Sequence, residues 1–280
     1  MIRSFKMNTN KWVIVLLSLA LAAACLFNPV LQSNRASAAT AGVDIIHVGP
    51  GRQYTMLGQV PWPLLGPGDK VYIHWQETPY RELILLSSKG TAAAPIEVHG
   101  VSDGPNGEKP IIDANGGYYS LYSLFLGPQF ARGPINVQRS GGRLETYRPS
   151  HIWIDNLEVR GGLWNNPLSW YYGTTGTMDS KSAGITIEGG EHIRITNCTV
   201  TNNGNGIYVN SEVVPYGDGR FYPSRDITIE SNTIVGNGVV GSSEHHNVNA
   251  TAYGLTVQNN TTGPLRPGAL GSDIVANSLD

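Results

Sequence analysis

The chain has 280 residues, of which 34 are glycine and only 14% are charged, with a formal net charge of −2. A nucleic-acid binder needs a broad basic footprint, and this balance excludes one. Glycine-rich, charge-poor composition fits a turn-rich all-β chain, and after residue 40 no window longer than about ten residues carries a 3.6-residue apolar period.

The chain opens with Arg3, Lys6 and Lys11, an apolar run over residues 12–27, and a small-residue stretch ending Ala36-Ser37-Ala38. A basic start, a short apolar core and an Ala-x-Ala end make a secretory signal peptide. Cleavage after Ala38 gives a secreted or periplasmic protein with no membrane attachment. The alternative is a lipoprotein box at residues 22–25 with a lipid on Cys25, but Ala22 stands where leucine is usual. The apolar run is too short for a retained span. Removing residues 1–38 leaves 15 Lys and Arg against 21 Asp and Glu, a formal charge of −6, with Cys198 as the remaining cysteine. One cysteine forms no internal disulfide, and a thiol in a strand reads as a small buried apolar residue.

Residues 46–115 alternate short apolar strands with Gly-Pro and Pro-led corners. Further on, the motif His/Asp-Ile-x-Ile recurs from His151, His192 and Asp226, with a degenerate copy around Leu255. The matched residues Ile152, Ile193, Ile227 and Leu255 are 41, 34 and 28 residues apart, and Ile185 recurs as Ile207 after 22. A chain that alternates, turns and returns to its starting phase winds a coil, and stacked coils bury each other's inward Ile and Val. Asn at the corners accepts left-handed geometry and can form amide ladders between coils. The predicted fold is therefore an all-β, single-stranded right-handed parallel β-helix over residues 39–280. A β-sandwich also has short strands at regular spacing, but it has no reason to restore the same phase after 22 residues. His151 and His192 open equivalent strands, so they read as structural.

The run Gly66-Pro-Gly-Asp69, Tyr80-Arg-Glu-Leu-Ile84, Pro95-Ile-Glu-Val-His-Gly100 and Pro110-Ile-Ile-Asp113 resembles the first coils of bacterial secreted β-helix proteins of the pectate-lyase-like superfamily. The resemblance implies a capping segment over residues 54–65 and covers most of the mature chain. Residues 244–247 and 263–269 are similar to one branch of that group. Its members include lyases, hydrolases, epimerases and binding proteins, so fold alone names no activity. The chain lacks the Asp-Asp pair of polygalacturonase-like hydrolases, and no acidic cluster reproduces the calcium site of pectate lyases. No cofactor is expected; calcium has no clear acidic cluster to hold it.

Three insertions, between Gly162 and Gly184, Asn210 and Asp226, and Gly241 and Leu255, are expected at one coil phase, walling a groove. Their aromatic residues Trp164, Trp170, Tyr171, Tyr172 and Tyr222 suit stacking on sugar rings, and Arg220, Arg266 and Glu244 complete the expected binding set. A polysaccharide lyase needs a base, a positive group for the uronate carboxylate and a proton donor. His245 or His246 suits the first role, Lys181 or Arg225 the second, and Tyr216 the third. Adjacent residues on an extended strand point to opposite sides, so one histidine of the pair should face the groove. A zinc site from Glu244, His245 and His246 is disfavoured because contiguous ligands seldom converge.

The expected function is β-elimination on an acidic polysaccharide by a monomer. The alternative is a non-catalytic carbohydrate-binding or surface β-helix; an inverting hydrolase would need two groove carboxylates. Residues 271–280 read as the start of another strand, not a cap, which suggests a chain truncated at its C-terminus.

Overall fold

Alternation along each short strand leaves one apolar side, and the corners bring that side back to the interior on every coil. The computed structural model describes residues 42–120, 132–139, 148–171, 173–210, 212–213 and 221–279; Cys25, Tyr172, Tyr216 and Arg220 lie outside them. Within Val43–Asp280 the strands stack into three parallel ladders.

The first face runs Ile45–Val48, Lys70–His74, Ile96–Val101, Ser150–Asp155, Glu191–Thr196, Arg225–Glu230 and then residues 253–258. The second face stacks Ile111–Asp113, Glu158–Arg160, Thr199–Thr201, Thr233–Val235 and Thr261–Thr262. The third takes Ile84–Leu86, Ile135–Val137, Ala183–Glu188, Asn205–Asn210, residues 248–252 and Ile274–Ser278. The register is the one the repeat implies. Ile152, Ile193, Ile227 and Leu255 occupy successive rungs, and Ile185 sits opposite Ile207. This is a parallel β-helix whose inward Ile and Val side chains form one continuous core. Cys198 belongs to that core, and burial pushes its thiol pKa up to about 12. No helix among the described residues is long and apolar enough to cross a membrane.

Corner chemistry explains the recurring polar residues. His151, His192, Asp226 and Gly254 enter successive first-face strands with φ of 51°, 54°, 50° and 62°. Asn156, Asn197, Ser231 and Asn259 leave them with φ between 52° and 57°. That left-handed geometry costs most L-residues roughly 1–2 kcal/mol, and Asn, Asp and His are enriched there among non-glycine residues. The imidazoles of His151 and His192 stack at 4.4 Å, and His192 Nδ1 lies 3.2 Å from Asp226 Oδ2. Both histidines are corner residues, as their equivalent positions implied.

Two asparagine ladders brace the coil, one at the corner between the first and second faces. Asn232 Oδ1 accepts from Cys198 N at 2.9 Å, and Asn260 Oδ1 accepts from Asn232 N at 2.9 Å. At the corner between the second and third faces, Asn237 Oδ1 accepts from Asn203 N at 3.1 Å and from its amide at 3.0 Å. Asn237 Nδ2 donates in turn to Asn247 Oδ1 at 2.9 Å. Asn237 is fully buried. Asn237→Leu should lower stability by about 1–3 kcal/mol for each buried partner left unpaired, read as a fall in the urea midpoint.

Residues 54–65 fold as expected of a cap. Two 3-10 turns, Leu57–Gln59 and Trp62–Leu64, send Leu57, Val60, Trp62 and Leu65 into the main core. The Trp62 indole donates to the Leu57 carbonyl at 2.8 Å. At the other end, Ile274–Ser278 adds a further parallel strand, which matches the strand start read at residues 271–280.

On the outer side of the first face, a charge network crosses three coils. Glu97 lies 3.0 Å from Lys70 and 2.6 Å from His99, whose other nitrogen is 3.3 Å from Asp155. Asp155 also accepts from Thr196 Oγ1 at 2.7 Å and Asn197 Nδ2 at 2.8 Å. Burial alone would raise both carboxyls, but these donors and charges outweigh it and hold both pKa values below the usual range. A depressed folded-state pKa gives stability that is fully present above the unfolded carboxylate value and is lost as pH falls through the folded one. Asp155→Asn should flatten the acid limb of a stability–pH curve measured by urea unfolding; an unchanged limb would count against the network.

Candidate functional site

The insertions do not share one coil phase. Residues 161–182 and 236–247 join the second face to the third, whereas residues 211–224 join the third face to the first. Insertions therefore flank both sides of the third face, and the candidate residues divide between them. Sequence spacing measured the length of each insertion but could not say at which of three corners it left the coil.

Beside the first of these corners, Lys181, Asn205, Tyr208, Glu244, His245 and Asn249 line one depression. Tyr208 and Asn249 come from adjacent third-face strands, in register with Thr186. Ile207 and Val209 point into the core, so Tyr208 between them turns outward and its hydroxyl accepts from Asn210 Nδ2 at 2.8 Å. Lys181 is exposed on the neighbouring loop, and Glu244 is exposed on the next. His245 bridges the two loops. Its Nε2 lies 2.8 Å from the Ser180 carbonyl, which can only accept, so Nε2 carries the hydrogen. Nδ1 is then the basic nitrogen, 2.8 Å from Ser242 Oγ.

His246 turns the other way, as the alternation of adjacent residues requires. It is buried, and its Nδ1 accepts from Ser272 N at 2.8 Å. Burial, with His245 nearby, holds its pKa below the usual imidazole value. The two rings diverge, so Glu244, His245 and His246 do not form a zinc set. Among the described residues no three His, Cys, Asp or Glu side chains group as metal ligands.

The other candidates lie elsewhere. Arg225 packs its guanidinium over Tyr253 at 4.7 Å on the first face, away from the corner that holds Lys181. Tyr222 packs against the guanidiniums of Arg139 and Arg148, each 5.2 Å from its ring centroid. Arg266 donates to Asn202 Oδ1 at 2.8 Å. Trp170 is not a surface platform: it stacks on Tyr119 at 4.4 Å inside a second small core with Leu83, Leu85, Leu168 and Met178. That core forms where Pro167–Trp170 pairs with Gly117–Tyr119 over the third face. Trp164 and Tyr171 remain exposed. The small core covers the outer side of the third face at Leu85, and Ala183–Glu188 is buried at every position, not on alternate ones.

Sequence reading missed Tyr208, Asn205 and Asn249. Tyr208 had a usable signal, an aromatic at the outward position of a strong Ile-x-Val alternation. The two asparagines had none, because corner and groove asparagines look alike in sequence.

A family model described as a right-handed beta helix region matches residues 135–274, half of the chain. No curated protein and no solved structure gives a significant match. Three parallel ladders in repeat register, together with that match over half its length, make this chain a member of the right-handed β-helix family.

Proposed function

We propose that the chain is a secreted, pectate-lyase-like β-helix protein that takes an acidic polysaccharide at the depression beside the third face and cleaves it by β-elimination. A right-handed β-helix is compatible with polysaccharide-active enzymes and with carbohydrate-binding proteins. The observation that carries the catalytic reading is the sharing of one depression by Lys181, Tyr208 and His245. In this reading the Lys181 ammonium neutralises the uronate carboxylate, which stabilises the carbanion formed beside it. His245 Nδ1 is the base, reached when the Ser242 hydroxyl rotates away, and the Tyr208 hydroxyl protonates the leaving oxygen.

One observation favours a second reading, non-catalytic carbohydrate binding. Both nitrogens of His245 are already engaged within the protein, by Ser180 and Ser242. The deciding experiment incubates the protein with a panel of uronate polymers and follows the ultraviolet absorbance of unsaturated products. Product from at least one polymer supports elimination. Binding without product on every polymer supports the second reading, and neither binding nor product overturns both.

A further inference from the structure

A second cluster stands on a different face, at the first two coils. On the outer side of the first face, His47 Nδ1 lies 2.9 Å from His74 Nε2. His74 is fixed from behind: its Nδ1 is 2.6 Å from Asp103 Oδ2, and its carbonyl accepts the Tyr80 hydroxyl at 2.7 Å. Asp103 is itself held by Trp75 N at 2.9 Å and by Arg52 at 3.4 Å. A carboxylate only accepts, so His74 Nδ1 carries the hydrogen and Nε2 directs its lone pair toward His47. The His47 ring is steadied by stacking on Tyr72 at 5.1 Å and 19°.

We propose that His47 and His74 form a two-imidazole site for a divalent late first-row transition cation of the Zn²⁺ or Cu²⁺ kind, which clips the first two coils together. Imidazole nitrogen is the ligand type these cations prefer. Bonds of about 2.0–2.1 Å place two nitrogens of a tetrahedral centre roughly 3.3 Å apart, so the nitrogens separate by a few tenths of an ångström and each ring turns by roughly 35°, so that both lone pairs converge on the cation instead of along the line between them. Asp103 occupies the place of the outer carboxylate that orients a ligating histidine and raises its basicity. To present its own lone pair, His47 moves its hydrogen from Nδ1 to Nε2, with no change in charge. No third protein ligand joins the pair among the described residues, so water completes the shell. The clip joins positions 27 residues apart, and a cation bound only by the folded chain stabilises it.

The test uses tag-free protein, with Zn²⁺ and then Cu²⁺ titrated by calorimetry and the thermal midpoint followed in parallel. One equivalent of cation should bind and raise the midpoint, while Mg²⁺, which seeks oxygen ligands, should not. His47→Phe keeps a ring on Tyr72 but removes the nitrogen, and should abolish both effects. Asp103→Asn should weaken binding about 10–100-fold without abolishing it. Failure of both cations to bind, or undiminished binding by His47→Phe, would overturn the site and leave the two rings sharing only a hydrogen bond.

Discussion

Replacing His245 by Ala should lower turnover of an acidic polysaccharide by about 10²–10⁴-fold, the usual consequence of removing a general base. The ring is held by Ser180 at one nitrogen and Ser242 at the other, with Lys181 and Tyr208 lining the same depression. Tyr208→Phe removes the proposed donor and should reduce turnover on the same scale with little change in binding. Lys181→Ala should reduce both turnover and affinity, because the carboxylate is held before and during elimination. His246→Ala serves as the contrast: its ring faces Ser272, so any change it causes should come through stability. Steady-state kinetics on one responsive polymer, with binding measured separately, distinguish these outcomes. Full activity in His245→Ala would move the base to another residue, with the Tyr208 hydroxyl next in line.

Trp170→Ala should destabilise the protein by about 3–5 kcal/mol, the range for removing a large aromatic from a packed core. The indole is 8% exposed and lies flat on Tyr119, so its loss opens a cavity between the 161–182 insertion and the third face. The effect should register as a lower urea midpoint and faster proteolysis within residues 161–182, where local opening is easiest. Weakened glycan binding with an unchanged midpoint would return Trp170 to the substrate surface. Trp164→Ala, at an exposed position, should leave the midpoint nearly unchanged.

The fold was legible because a solenoid writes its architecture locally. Ile152, Ile193, Ile227 and Leu255 share a phase since each must face the same core line, and Asn corners recur since each coil meets the same left-handed turn. Those constraints act over a few residues and repeat, so the sequence alone determined the parallel β-helix, its register and the structural role of His151 and His192. The site obeys a different rule. Lys181, Tyr208 and His245 meet only because loops from successive coils leave at one of three corners and fold back beside the same face. Loop length does not encode that corner, which is why Arg225 and Lys181, alike in sequence context, stand on different sides of the coil. Trp164 and Trp170 likewise share composition and neighbourhood, yet one is exposed and the other buried. Pairing of Pro167–Trp170 with Gly117–Tyr119, about 50 residues earlier, decides between them. Short-range geometry therefore fixed the scaffold, and contacts between distant loops, invisible to any local pattern, chose which side chains the scaffold brings together.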